Sequence, residues 1–239
     1  MYAVNAATGS KVWSVNLNPV WNSGISDIYA SPTISNRIVY IGTFDDSVYA
    51  LNATTGARVW ASSAISSGPG VLLSSPAVSN GIVYIGGADN YLYAFDAGTG
   101  VLDWKAPIGA GNTVSSPTVV NGVVYIGSQD FNLYAIDANT GTQLWTAATG
   151  SNIGASPIVV AGIVYVASFD QHVYAFDATS GAVKWSFPTG AFIESSPVVS
   201  NGTLYIGSAD NSVYALDAAT GTKKWRRPCL KSSFLPLVS

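Results

Sequence analysis

Six copies of one phrase run along the chain and leave little freedom in how it folds. Ala-x-Asp/Asn-x-x-Thr/Ser-Gly-x-x-x-Trp occurs at Ala3/Asn5/Gly9/Trp13, Ala50/Asn52/Gly56/Trp60, Ala94/Asp96/Gly100/Trp104, Ala135/Asp137/Gly141/Trp145, Ala175/Asp177/Gly181/Trp185 and Ala215/Asp217/Gly221/Trp225. Successive tryptophans lie 47, 44, 41, 40 and 40 residues apart, and a Ser-Pro phrase recurs between them at Pro32, Pro76, Pro117, Pro157 and Pro197. A period near ~40 residues marks one supersecondary unit per copy, stacked on its neighbours.

The repeat at residues 74–106 parses into four short strands. Strand A (75–79) closes on the turn dipeptide Asn80-Gly81, and strand B (82–86) ends in a turn around residues 88–90. Strand C (91–95) ends at the glycine-bearing phrase, and strand D (101–105) carries Trp104. Four antiparallel strands joined by tight turns predict an all-β propeller blade. A proline at the start of strand A suits an edge strand lining the central axis.

Composition narrows the setting. Mean hydropathy is +0.30, but Gly, Ser, Asn or Asp interrupts every apolar stretch short of the ~18 residues a spanning helix needs. Runs such as residues 81–86 read instead as strands buried on both faces, and no membrane span is expected. Residues 1–222 carry 5 Lys/Arg against 13 Asp/Glu, a net of −8, whereas residues 223–239 carry 5 Lys/Arg and no acid. An acidic body lacks the basic stripe that phosphates require, which excludes nucleic acid as a partner. The basic stretch reads as a solvated end, with a polyanion or membrane-surface patch as the alternative. Cys229 is the only cysteine, so neither a disulfide framework nor a cysteine metal site forms within the chain. Scarce Lys and Glu with abundant Ser, Thr, Asn and Gly point to an extracytoplasmic setting, although no signal peptide is read in this chain.

WD-type repeats would show Gly-His and Trp-Asp dipeptides, and kelch repeats a glycine pair in every blade; here Gly86-Gly87 is the only pair. The phrase resembles the tryptophan-docking motif of the quinoprotein (PQQ-like) propeller repeats, over residues 2–225. The resemblance implies that each Trp packs against the Ala of its own motif and the Gly-containing peptide of the neighbouring blade. Trp13, Trp60, Trp104, Trp145, Trp185 and Trp225, with Gly9, Gly56, Gly100, Gly141, Gly181 and Gly221, are then fastenings rather than a ligand cage. It also implies two functions of different classes. Quinoprotein dehydrogenases hold PQQ and calcium, and alcohol-oxidising members add a vicinal cysteine pair and Glu, Asn and Asp ligands. This chain has one cysteine and one glutamate. Non-catalytic relatives, among them an outer-membrane barrel-assembly lipoprotein, use the propeller faces to bind proteins. The expected function is therefore a non-catalytic scaffold binding a protein or small ligand at its top face, without cofactor. A fragment or degenerate relative of a PQQ- and calcium-dependent dehydrogenase is the alternative.

Specific activity must come from residues that break the repeat. The B–C turns, which share a propeller face with the D–A connections, each carry an aspartate: Asp45 with Asp46, Asp89, Asp130, Asp170 and Asp210. These either stabilise tight turns or form an acidic ring for cations or a basic partner. Two early D–A connections are longer, at residues 16–27 with the off-motif Trp21 and at 62–70. Three residues before the Ser-Pro proline stand Tyr29, Leu73, Val114, Gly154 and Glu194, so Glu194 alone is ionisable at that channel-mouth position. His172 reads as an exposed turn residue, and no second histidine supports a metal or catalytic role.

Tyr2 aligns with the strand C tyrosine of the other repeats. The expected organisation is a propeller over residues 1–225, comprising strands C and D of one blade and five complete blades, followed by a basic tail at 226–239. Pro236 lies 11 residues past Trp225, against 12 from Trp145 to Pro157, so the tail reads as a degraded strand A. A fragment of a longer array is expected, with a ring closed by a distorted sixth blade as the rival.

Overall fold

The computed structural model describes residues 1–17, 28, 30–43, 45–63, 72, 74–110 and 115–229. Every regular element among them is a strand. A two-stranded piece, β1 (Tyr2–Val4) and β2 (Lys11–Ser14), precedes five four-stranded antiparallel sheets. Blade I is β3 (Thr33–Ser35), β4 (Ile38–Gly42), β5 (Val48–Asn52) and β6 (Arg58–Ala61), and blade II is β7 (Ala77–Ser79), β8 (Ile82–Gly86), β9 (Tyr91–Asp96) and β10 (Leu102–Pro107). Blade III comprises β11 (Thr118–Val120), β12 (Val123–Gly127), β13 (Asn132–Asp137) and β14 (Gln143–Ala148). Blade IV comprises β15 (Ile158–Val160), β16 (Ile163–Ala167), β17 (His172–Asp177) and β18 (Val183–Pro188). Blade V comprises β19 (Val198–Ser200), β20 (Thr203–Ser208), β21 (Ser212–Asp217) and β22 (Lys223–Pro228). This is the β-propeller architecture of the repeat.

Strand limits follow local chemistry. Pro76 has no N–H for a ladder, so the A–B pairing of blade II starts one residue later, at Ala77 opposite Tyr84. The A–B turn has φ of 50° at Asn80 and 78° at Gly81, the two positive values of a type I′ hairpin, whose twist matches its strands. The A strands of successive blades touch one another, β3 with β7, β7 with β11, β11 with β15 and β15 with β19, which makes them the inner rank. The central strands are buried on both faces, as at Val83, Tyr84, Ile85, Leu92 and Phe95. The last strand runs to Pro228, so Arg226 and Arg227 belong to blade V.

The motif explains how blades join. Asp177 Oδ1 accepts the N–H groups of Thr179 and Ser180 at 3.0 and 3.1 Å, folding the C–D turn. Asn52 does the same for Thr54 and Thr55, which is why either Asx residue serves. A hydrogen bond from Lys184 leads the interactions that hold the Asp177 carboxyl at about 2, well below the usual range. Gly181, at φ 72°, closes the turn and presents a bare Cα to the blade before it. A Cβ on Gly181 would lie 2.6 Å from Cε3 of Trp145, so the indole occupies the space a side chain would take. Trp145 Nε1 donates to the Ala178 carbonyl at 3.1 Å, and the Tyr125 hydroxyl donates to the same oxygen at 3.0 Å. One carbonyl thus uses both lone pairs on the preceding blade.

This arrangement recurs. Trp60 with Tyr40, Trp104 with Tyr84 and Trp185 with Tyr165 share the carbonyls of Ala97, Ala138 and Ala218. Trp13 reaches Ala53 alone, the two-stranded piece having no described strand B. The Ser-Pro phrase makes a second seam near the axis. Ser75 N–H donates to Ser116 Oγ, Ser116 N–H to Ser156 Oγ and Ser156 N–H to Ser196 Oγ, at 2.9, 3.1 and 2.9 Å. Tyr205 and Trp225 on blade V keep the ring pairing at 5.9 Å, but no described blade follows and Trp225 is 38% exposed, against 9% for Trp185.

These contacts generate two predictions. Trp185→Ala will destabilise the protein by about 3–5 kcal/mol, as truncation of a buried aromatic does, whereas Trp225→Ala will cost no more than about 1 kcal/mol. Denaturant unfolding of both variants checks this, and equal losses contradict the docking assignment. Burial, with smaller contributions from the carboxylates of Asp103 and Asp137, pushes the Tyr84 phenol up to about 12. Its unfolded value is about 10, so the stabilisation is complete below pH ~10 and is lost as pH rises towards 12. Tyrosinate absorbance and circular dichroism will therefore change together in alkaline titration; Tyr84-class phenols ionising in a still-folded protein would contradict it.

Candidate functional site

The repeated aspartates of the B–C turns are used inside the fold. Each accepts the hydroxyl of the tyrosine four residues on: Asp45 from Tyr49 at 2.7 Å, Asp89 from Tyr93, Asp130 from Tyr134 and Asp170 from Tyr174 at 2.6 Å, and Asp210 from Tyr214 at 2.5 Å. In blades IV and V the same carboxylate also takes a backbone N–H from the preceding D–A connection, Gly150 onto Asp170 at 2.6 Å and Gly190 onto Asp210 at 2.9 Å. Arg226 lies 3.3 Å from Asp210. Burial, reinforced by the bonded Asp170 carboxylate, pushes the Tyr174 phenol up to about 12. Asp46 sits beside Asp45 as the positive-φ residue of its turn, at φ 62°, and is buried. In blades IV and V the carboxylates therefore pin the D–A connections to the B–C turns.

A cavity of about 210 Å³ is lined by Gln129, Asn152, Gly154, Phe169 and Glu194. It spans the B–C turns of blades III and IV and the connections leading into blades IV and V. Phe169 and Phe192 stack with centroids 5.6 Å apart and planes 11° from parallel. Backbone bonds hold the frame: Phe169 N–H to the Asn152 carbonyl, and Ala209 N–H to the Phe192 carbonyl, each 3.0 Å. Phe192 remains 43% exposed. Among the described residues no hydrogen bond or ion pair engages the Glu194 carboxylate or the side-chain amides of Gln129 and Asn152.

Glu194 thus stands beside Gly154 in this cavity. The sequence reading overlooked Phe169, Phe192, Gln129 and Asn152. The signal lay in the repeats themselves: in sequence Phe169 stands where blades II, III and V have Ala88, Gln129 and Ala209 and blade I has Phe44, and Phe192 stands where the preceding connection has Asn152. Trp21, most of the 16–27 and 62–70 loops, Tyr29, Leu73, Val114 and the segment 230–239 with Lys231 and Pro236 lie outside the described residues. His172 opens β17, its Nδ1 3.0 Å from the Asp170 carbonyl. Cys229 is exposed. Among the described residues no three His, Cys, Asp or Glu side chains gather as a metal-ion site. No helix among them is long and apolar enough to cross a membrane.

Comparison with known proteins adds the lineage. The family model described as outer membrane protein assembly factor BamB matches residues 1–158 and 129–235. No curated protein matches. Among solved structures, BamB from Moraxella catarrhalis is 25% identical with a TM-score of 0.77, over 94% of this chain and 66% of that one. The computationally designed Ika8 protein superposes with a TM-score of 0.78 at 19% identity, over 92% of this chain and 65% of its own. A quinohemoprotein alcohol dehydrogenase from Pseudomonas putida HK5 follows at 0.67 and 19% identity, over 86% of this chain and 42% of that one. The chain spans less than two thirds of each of these proteins. Motif, blades and family match agree: the chain belongs to the PQQ-like repeat propellers of the family described as outer membrane protein assembly factor BamB.

Proposed function

We propose that this protein is a non-catalytic binding propeller that meets a protein partner on the face where its B–C turns and D–A connections emerge. One observation carries the reading. The seams between blades repeat almost without change, while Glu194 and Phe192, which depart from the repeat, meet Phe169 at one cavity: Phe169 and Glu194 line it, and Phe192 stacks on Phe169. A rigid scaffold with variable residues on its connections is the usual arrangement of a recognition surface. The family description, an assembly factor of the outer membrane, supports a protein partner and a place outside the cytoplasm. So does the composition, poor in Lys and Glu.

A quinoprotein dehydrogenase is the second reading, favoured by the likeness to the Pseudomonas putida enzyme, which is one of fold. The donor chemistry of the described residues does not fit a calcium–quinone centre. Glu194 is the only carboxylate lining the cavity, and the single cysteine sits at the end of blade V. At about 210 Å³ the cavity is also smaller than the ~300–1,000 Å³ usual for cofactor and small-molecule sites.

Titration of the purified protein with PQQ and Ca²⁺, followed by quinone absorbance, separates the readings. The expected result is an unperturbed spectrum with no saturation. Saturable binding with a shifted quinone band overturns the scaffold reading.

A further inference from the structure

We infer that the cavity between blades III, IV and V is a receptor for one arginine side chain of the partner. The inference rests on the binding-propeller reading and specifies the chemistry of its site. The cavity offers what a guanidinium needs and little else. Among the described lining residues Glu194 supplies the only charge, a carboxylate without a described partner. The amides of Gln129 and Asn152 line the same space, and each offers an oxygen acceptor. The stacked Phe169–Phe192 pair, with Phe192 43% exposed, supplies an aromatic surface for a planar cation.

Size and field point the same way. A volume of about 210 Å³ suits a single long side chain rather than a folded ligand. Residues 1–228, which include the last strand of blade V, carry 9 Lys/Arg against 13 Asp/Glu, a net charge of −4, so the body as a whole favours a cationic ligand. Asp170 adds to that bias without competing for the ligand, because it already accepts a tyrosine hydroxyl and a backbone N–H, while the charge of Asp210 is offset by Arg226 at 3.3 Å. Arginine fits better than lysine. Its guanidinium is planar, stacks on aromatic rings and presents several donors in fixed directions, whereas an ammonium is a compact, strongly hydrated point charge. The frame is prepared in advance, since the Phe169–Asn152 and Ala209–Phe192 backbone bonds hold the aromatic pair before any partner arrives.

The test uses the full chain, isotope-labelled for amide NMR, and three blocked peptides: acetyl-Gly-Arg-Gly-amide and its lysine and citrulline counterparts. Citrulline keeps the shape of arginine and removes the charge. The arginine peptide is expected to shift the resonances of Gln129, Asn152, Phe169, Phe192 and Glu194 saturably, at least fivefold more tightly than the lysine peptide and tenfold more tightly than the citrulline peptide. Glu194→Gln is expected to weaken the arginine peptide about tenfold, and Phe192→Ala by a similar factor, with amide spectra elsewhere unchanged. Equal binding of arginine and citrulline peptides at the cavity overturns the inference and leaves the binding-face reading intact. Shifts confined to other surfaces overturn the inference as well, while a positive PQQ titration removes the reading beneath it.

Discussion

An indole ring lying on a glycine of the next blade is the contact on which this molecule depends. The geometry admits no side chain: Gly181 lies so near Trp145 that a Cβ would sit 2.6 Å from the ring. The positive φ at the same glycine closes the C–D turn that brings the Ala178 carbonyl within reach of both Trp145 Nε1 and the Tyr125 hydroxyl. One turn therefore supplies the surface for an aromatic ring and an acceptor for two otherwise buried donors. Buried donors left unmet are expensive, so ring and carbonyl are required together. Each blade satisfies its predecessor, and stability accumulates from nearest-neighbour seams.

Two further sets of polar bonds complete the frame. The Ser-Pro serines link the inner strands from blade to blade, and the B–C aspartates tie the upper turns to the D–A connections. Because repeating side chains meet these structural demands, the residues that do not repeat are free to face a partner. Phe192 and Glu194 differ from their counterparts in the other connections, and Phe169 is shared in sequence only with Phe44 of blade I, while the seams around them do not change. Recognition at this face can therefore vary without loosening the fold.

Much of the fold was legible in the chain because the seams demand particular residues at fixed spacing. Trp and Gly are forced by contact, Asn80-Gly81 by a turn with two positive φ values, and Asx at the C–D turn by two backbone donors. The five four-stranded sheets and the two-stranded piece follow that reading, with strand A of blade II shortened by the missing N–H of Pro76. The second donor of each seam was harder to see. Tyr40, Tyr84, Tyr125 and Tyr165 sit in apolar strand B runs and read simply as β-formers, although each hydroxyl reaches a carbonyl in the following blade. The site was half legible. Glu194 stood out as the one residue at its position charged at neutral pH, but Phe169 and Phe192 meet only through the fold, across two connections that no local pattern relates. Trp21 belongs to a segment outside the described residues.

The seam is tested most directly by two glycine substitutions with matched backbone strain. Gly181→Ala places a methyl group against Trp145 at φ 72°, whereas Gly122→Ala places one at φ 77° with nothing within 4 Å. Both variants carry the left-handed backbone penalty of about 1–2 kcal/mol, and only the first adds overpacking of about 1–3 kcal/mol. Denaturant unfolding, with Trp fluorescence as the probe, should show Gly181→Ala less stable than Gly122→Ala by at least that added increment. Equal stabilities would contradict the claim that tryptophan and glycine fasten the blades.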